Sequence, residues 1–130
     1  MSYIEKIWNT PEPAEREILE KVRQKTLGKN LGDYFILDPQ HNIIKTDLVT
    51  TMLWKAMLAE ASIVKKTTVN DKTVSTVFLE VGRYRFETMV FGFDWEIKRT
   101  YNDFEEAVAA HDEIVKEIQC SVQLETSGKS

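Results

Sequence analysis

Three short runs of alternating residues, separated by turn residues, lie between Thr73 and Tyr101 and constrain the fold most strongly. Two-residue turns are predicted at Asn70-Asp71, Gly82-Arg83 and Gly92-Phe93, because these residue types suit the tight connections of hairpins. The sequence therefore predicts an α+β fold. An antiparallel β-meander of four strands, with an additional N-terminal hairpin, packs against helices, and a helical arm precedes it.

Those turns set a register in which Val77 opposes Thr88, Thr88 opposes Ile97 and Tyr84 opposes Tyr101. One face of the sheet is then almost wholly apolar and is predicted to face the core. It carries Val64, Val77, Leu79, Tyr84, Phe86, Thr88, Val90, Trp95, Ile97 and Tyr101. The opposite face mixes apolar and charged residues, namely Lys65, Thr76, Phe78, Glu80, Arg85, Glu87, Met89, Phe91, Glu96 and Lys98.

The mixed face is the predicted functional surface, since a merely solvated sheet needs no large apolar side chains. Cross-strand ion pairs, Glu80 with Arg85 and Glu87 with Lys98, are expected to stabilise it. One interpretation is that another element or subunit covers this face. The other is a binding surface that uses aromatic contact area and holds an anionic group through its basic side chains. Its candidate residues are Phe78, Arg83, Arg85, Glu87, Met89, Phe91 and Lys98.

Two helices are predicted before the first hairpin. Ser2 and Glu5 have the spacing of a capping box. A second helix is predicted from Pro11 to Leu27, capped by Thr10. Its apolar stripe is narrow and consists of Ala14, Ile18, Val22 and Leu27. This arm is expected either to lie across the core or to pair with a second copy of the chain.

The segment Asp33 to Thr46 is typical of a hairpin with His41 in its turn, and Asp47 is predicted to cap a helix from Leu48 to Ala61. The apolar spacing predicts that this helix buries Leu48, Met52, Leu53, Ala56 and Met57. Trp54 lies off that stripe. It is expected either to be covered by the N-terminal arm or to belong to a partner surface.

The last helix is predicted to begin after Asn102, and its apolar stripe contains His111. From there His111 is expected to reach Ser75, Thr88 or Tyr101. It is then either a hydrogen-bonded core histidine or a general base, paired with Glu87 or Tyr101. A hydrolase triad is excluded, because Ser75 lies inside a regular strand without the glycine turn of a nucleophile elbow.

Composition excludes several other function classes. Cys120 is the only cysteine and there are two histidines, so no disulfide, metal site or cofactor is predicted. Residues 103–130 carry seven acidic and two basic side chains, which disfavours duplex nucleic acid as a partner. No apolar run suits a signal peptide or a membrane span, so a cytoplasmic location is expected. The predicted division is an arm (1–30), a core domain (31–118) and a flexible tail (119–130).

Three strings, Val74–Leu79 (VSTVFL), Phe86–Gly92 (FETMVFG) and the later Tyr101, Ala107 and His111, resemble a family of small, largely uncharacterised phage and prophage proteins. In that resemblance Ser75, Thr76, Thr88, Tyr101 and His111 belong to the structural motif. It implies a phage protein acting in the cytoplasm of an infected bacterium, but no established activity.

A phage accessory protein without a catalytic constellation is expected to be a non-catalytic binder. The predicted function is to counter host antiviral defence by sequestering a host protein or a small anionic nucleotide. The alternatives are a structural or assembly protein of the phage particle, or a small enzyme that uses His111. A homo-oligomer formed through the N-terminal arm is also expected.

Overall fold

The computed structural model describes residues 2–29, 32–92 and 97–128. These residues form four α-helices and two antiparallel sheets, so the predicted α+β class is confirmed. In chain order the elements are α1 (Tyr3–Trp8), α2 (Pro13–Thr26), β1 (Tyr34–Leu37), β2 (Ile43–Thr46), α3 (Leu48–Met57), a 3-10 turn (Ala59–Ser62), β3 (Ile63–Val69), β4 (Lys72–Phe78), β5 (Phe86–Phe91), β6 (Ile97–Tyr101) and α4 (Phe104–Gly128). None of the helices in these ranges combines the length and apolar character needed to cross a bilayer.

The chain divides into two compact units, Met1–Ser62 with Leu79–Arg83 and Ile63–Phe78 with Tyr84–Ser130. The first contains the β1-β2 hairpin and helices α1 to α3, and the second contains the four-stranded sheet and α4. The predicted division into arm, core and tail stays a prediction. Helix α4 continues to Gly128, past residue 119, where we placed the start of the tail.

In the first unit, the N-terminal capping box is confirmed, with the Ser2 hydroxyl accepting from Glu5 N at 3.1 Å. Helix α2 begins later than predicted. The Thr10 hydroxyl donates to the carbonyl of Ile7, so it is not the cap, and Glu12 takes that position without a side-chain bond. The predicted hairpin is also confirmed, and His41 lies in its turn with φ of 68°.

Asp47 caps α3 as predicted, accepting from Thr50 N at 2.8 Å. The buried side of α3, however, was predicted correctly only at Leu53. Met52 is 61% exposed and Met57 42% exposed, whereas Trp54 is fully buried. The buried set is Val49, Thr50, Thr51, Leu53 and Trp54. The apolar residues surround most of this helix, so their spacing alone could not select a side, and packing against α1, α2 and β1 decides it.

In the second unit, the sheet order is β3-β4-β5-β6 and α4 packs across one face. The predicted stripe of α4 is confirmed, since Ala107, His111, Ile114 and Ile118 are all buried. Beneath its N-terminal end, Phe86 makes edge contacts with Phe104 at 6.0 Å and with Phe78 at 5.6 Å. Further along the helix lies an aliphatic cluster of Val69, Val74, Val90, Ile114 and Ile118.

The tight turn at Asn70-Asp71 is confirmed, with Val69 opposite Lys72 and Asn70 at φ 56°. The ladder shifts between Ile63 and Lys65, so Ile63, not Val64, opposes Val77. Gly92 approaches this turn closely. A β-carbon on Gly92 would lie 2.9 Å from the carbonyl oxygen of Asp71, so only glycine fits there.

The turn predicted at Gly82-Arg83 is wrong. The ladder closes at Phe78 opposite Phe86, and residues 79–85 form a wide connection. Part of this connection belongs to the first unit, where the carbonyl of Glu80 accepts from Phe35 N at 2.9 Å and its carboxylate binds Lys55. The connection is wide because its backbone pairs with β1. The predicted ion pair of Glu80 with Arg85 is therefore replaced by Glu80 with Lys55.

The wide connection moves β4 by one residue relative to β5, and a one-residue shift exchanges the two faces of a strand. Thr76 and Phe78 therefore face the core, and Val77 faces outward. Between β5 and β6 the register differs by two residues, which preserves the faces, so that Val90 opposes Ile97 and Phe86 opposes Tyr101. The predictions for Phe93, Trp95 and Glu96 lie outside the described residues.

Candidate binding face and buried histidine network

The face of the four-stranded sheet opposite α4, which we call the outer sheet face, consists of three cross-strand rows. The first row is Ile63, Val77, Glu87 and Thr100. The second is Lys66, Ser75 and Met89, and the third is Thr68, Thr73 and Phe91. Alternation in β4 and β5 fixes this arrangement, because Val74, Thr76, Phe86, Thr88 and Val90 are fully buried under α4.

Large apolar side chains cross this face as a diagonal band, from Ile63 and Val77 in the first row through Met89 in the second to Phe91 in the third. Phe91 is 50% exposed and Ile63 is 44% exposed, while Val77 and Met89 are half-buried. Polar residues lie on both sides of the band, with Lys66 exposed on β3 and Glu87 half-buried on β5. A mixture of apolar and polar side chains is the usual composition of a protein interface.

Three of the seven predicted binding residues, Glu87, Met89 and Phe91, lie on the outer sheet face. Phe78 does not, because it is 2% exposed and packs against Phe86 under α4. Arg85 precedes β5 and is 7% exposed, which contradicts its predicted place on an open surface.

The two remaining residues of the predicted set, Arg83 and Lys98, do not add to this group of three. Arg83 belongs to the first unit. Lys98 stands opposite Met89 in the register, and not opposite Glu87 as predicted, and its side chain lies outside what the structure describes. Lys65, also predicted on this face, instead reaches Asp112 of α4 at 2.5 Å.

On the other side of the sheet, His111 is completely buried and both of its ring nitrogens meet threonine hydroxyls. Nδ1 lies 2.8 Å from Thr76 Oγ1, and Nε2 lies 2.9 Å from Thr67 Oγ1. Thr76 Oγ1 in turn lies 2.6 Å from Thr88 Oγ1. The predicted contact with Thr88 is therefore indirect, through Thr76, and the predicted contact with Ser75 is wrong because Ser75 lies on the outer sheet face.

The surroundings of His111 favour the neutral imidazole. Burial, and then the nearby charge of Lys65, lower the pKa of His111, while Asp112 opposes them. In a neutral imidazole one ring nitrogen donates a hydrogen bond and the other accepts one, and a threonine hydroxyl can pair with either nitrogen. Because Glu87 lies on the outer sheet face, the sheet separates it from His111. The predicted pairing of His111 with Glu87 as a general base is therefore wrong.

Sequence reasoning missed a polar cluster in the first unit that joins α1, α2 and α3. The Trp8 indole donates to the Thr50 hydroxyl at 2.9 Å, and that hydroxyl donates to Asp47 Oδ2 at 2.8 Å. Arg23 Nε also donates to Asp47 Oδ2 at 3.0 Å, and its guanidinium lies 5.1 Å from the centroid of the Trp8 ring. One signal for this cluster was present in the sequence, the acidic cap Asp47. Its other partner, Arg23, is 24 residues away in the chain, so residue spacing could not predict the pair.

Two opposing effects act on the carboxyl of Asp47. Partial burial pushes its pKa upward, but the hydrogen bonds from Thr50 and the charge of Arg23 outweigh that effect and hold the pKa below its usual value. Asp47 is therefore ionised at neutral pH and serves as the shared acceptor of the cluster.

A cavity of about 150 Å³ adjoins this cluster, lined in part by Leu27, Lys29, Tyr34 and Asp47. Pockets for small ligands usually enclose about 300 to 1,000 Å³. This cavity is smaller than that range. A second cavity, of about 400 Å³, lies within the range, but the residues that line it offer one charged side chain and are otherwise apolar, namely Ala56, Met57, Leu58, Glu60 and Ala61. The outer sheet face is therefore the better candidate for a functional site.

No family model, curated protein sequence or solved structure matches this chain. The resemblance of its motifs to phage proteins therefore stays a prediction.

Proposed function

We propose that this chain is a non-catalytic binding protein whose outer sheet face docks on a partner protein. The observation that carries the proposal is Phe91, which keeps half of its surface exposed beside Met89 on the face that α4 does not cover. Aromatic and methionine side chains are enriched in the centres of protein interfaces and contribute disproportionately to their affinity.

The polar side chains around Phe91 support a protein partner over a nucleotide. The nucleotide pocket predicted from the sequence used Phe78 for stacking and Arg85 for phosphate, yet both are buried. The residues beside Phe91 are instead hydroxyl-bearing, with Thr68 and Thr73 in its own row and Ser75 in the next. Exposed apolar side chains among uncharged polar ones suit the surface of another protein.

The arrangement around His111 supports the non-catalytic part of the proposal. A general base must reach a substrate proton within hydrogen-bonding distance. The His111 side chain is fully buried, and hydroxyl groups of the protein lie within hydrogen-bonding distance of both nitrogens. Following the phage resemblance, we propose a component of the host's antiviral defence as the partner.

The test compares two charge insertions at positions of equal exposure. Phe91 is 50% exposed and Val81 49% exposed, and Val81 lies in the first unit, so Phe91→Glu and Val81→Glu form a matched pair. The immobilised wild-type protein and both variants are incubated with lysate of the bacterial host. A protein retained by the wild type and by Val81→Glu, but not by Phe91→Glu, is then purified and titrated by calorimetry.

We expect Phe91→Glu to weaken binding of that purified protein at least about 10-fold, as for an aromatic interface residue. Val81→Glu should leave the affinity unchanged. Equal losses in both variants, or retention of no protein that depends on Phe91, would overturn the proposal. Heat from a cyclic nucleotide that disappears in Phe91→Glu would instead identify the ligand as a nucleotide.

A further inference from the structure

Helix α2 leaves most of its apolar side exposed. The side that packs on the first unit carries Arg16, Leu19, Glu20 and Arg23, which are partly buried. Two other apolar residues of the helix point outward, with Ile18 63% and Val22 44% exposed, and Leu27, just after the helix, is 49% exposed. A surface helix normally buries its apolar stripe, so an exposed stripe is unusual for a helix of this kind.

The polar cluster explains why the helix cannot turn its apolar side inward. Arg23 of α2 binds Asp47 at 3.0 Å, and its guanidinium stacks over the Trp8 ring. Rotating the helix to bury Ile18 would break these contacts and leave the carboxylate of Asp47 without its cation. The outward position of the stripe is therefore built into the fold.

We propose that the outward stripe of α2, formed by Ala14, Ile18 and Val22, binds the same stripe of a second copy of this chain in antiparallel orientation. These residues follow one another at intervals of four, which makes a single ridge along the helix. When such ridges from two helices interlock, the axes cross at about 50°. The contact is then centred between Ile18 and Val22.

Charges beside the stripe select the antiparallel orientation. Glu15 and Glu17 lie toward the N-terminal end of α2, and Lys21 and Lys25 toward its C-terminal end. In an antiparallel pair, the two glutamates of one copy come near the two lysines of the other. A parallel pair would bring like charges together, which is unfavourable.

The expected dimer is weak. Helix α2 has 14 residues. A helix of that length spans about 21 Å, so one helix pair buries less than the roughly 1,200 Å² of a stable interface. We therefore expect a dissociation constant of about 1 to 100 μM, within reach of sedimentation equilibrium.

The test measures the molar mass of the whole protein by sedimentation equilibrium across that concentration range. Wild-type protein should shift from monomer to dimer. Ile18→Glu should remain monomeric, because it places two carboxylates at the centre of the contact. The matched control is Met52→Glu, at a residue of α3 that is 61% exposed against 63% for Ile18, and it should dimerise like the wild type.

Charge reversal provides a second readout that does not depend on the apolar contact. The double variants Glu15→Lys with Glu17→Lys, and Lys21→Glu with Lys25→Glu, should each dimerise at least about 10-fold more weakly. An equimolar mixture of the two should recover the dimer. A monomeric wild type, a dimer that survives Ile18→Glu, or a dimer lost equally in Met52→Glu would overturn the proposal, and none of these outcomes bears on the outer sheet face.

Discussion

The indole nitrogen of Trp54 donates a hydrogen bond to the hydroxyl of Tyr3 over 3.0 Å, although the two residues are 51 positions apart. A second indole bond, from Trp8 to Thr50, joins the same two helices, α1 and α3. This confirms the expectation that the N-terminal arm covers Trp54. Two tryptophans thus supply both the apolar contact and the polar connection between these helices.

Replacing Thr50 by valine should destabilise the protein by about 1 to 3 kcal/mol, because the buried Trp8 indole loses its acceptor and Asp47 loses a donor. Thr51→Val is the control. The Thr51 hydroxyl bonds to the backbone carbonyl of Asp47, which also accepts from Thr51 N, so its loss should cost less. Urea unfolding followed by tryptophan fluorescence measures both variants, and equal destabilisation would contradict the role given to the Trp8 bond.

Replacing His111 by glutamine should lower the free energy of unfolding by about 2 to 4 kcal/mol, since a shorter amide cannot reach Thr67 and Thr76 as the imidazole does. Exposed His41 provides the comparison. His41→Asn should be nearly neutral, because asparagine tolerates the positive φ of 68° found there. A nearly neutral His111→Gln would show that the threonine network contributes little to stability.

The lowered pKa of His111 predicts that stability falls as the pH decreases. The unfolded chain takes up a proton near pH 6.5. The folded protein does so only at lower pH, because burial and Lys65 disfavour the imidazolium while Asp112 compensates in part. The stabilisation is therefore complete above about pH 6.5 and is lost as the pH falls toward the folded pKa.

Urea denaturation at pH values from 7.5 down to 5 tests this dependence. The wild-type free energy of unfolding should decrease over that range, and His111→Gln should flatten the slope. Asp47 acts in a separate window, because its lowered pKa places its effect below its ordinary value of 3.8. An unchanged slope in His111→Gln would assign the pH dependence to another group.

A double-mutant cycle on Arg23→Gln and Asp47→Asn should give a coupling energy of about 1 kcal/mol, because the pair is hydrogen-bonded and its side chains are only 28% and 13% exposed. Glu17 and Lys21 form the control pair. Their side chains are 74% exposed and 3.9 Å apart, so Glu17→Gln with Lys21→Gln should couple by less than about 0.5 kcal/mol. Thermal or urea unfolding of the six variants and the wild type measures both couplings.

Sequence patterns predicted the α+β class, the order of most elements and the stripe of α4 that contains His111. They succeeded where a local signal was unambiguous, as with the cap at Asp47 or the turn at Asn70-Asp71. They failed at Gly82-Arg83 because the connection that contains it pairs with β1 through Phe35 and Glu80, which are far apart in sequence.

The wrong turn predicted at Gly82-Arg83 changed the candidate site on β4 but not on β5. It reversed the faces of β4, which moved Phe78 into the core and Val77 outward, but left β5 as predicted. Met89 and Phe91 therefore remained on the outer face. The polar cluster around Asp47 could not be predicted at all, since it requires three helices to be placed in space first.

The account depends most on Phe91 and Met89 facing outward while Phe78 faces the core, and hydroxyl-radical footprinting with mass spectrometry measures this directly. In the free protein we predict that Phe91 and Met89 are oxidised and that Phe78 and Phe86 are not. On addition of the purified partner, Phe91 and Met89 should become protected. Oxidation of Phe78 as fast as Phe91, or outer-face oxidation that the partner leaves unchanged, would contradict the account.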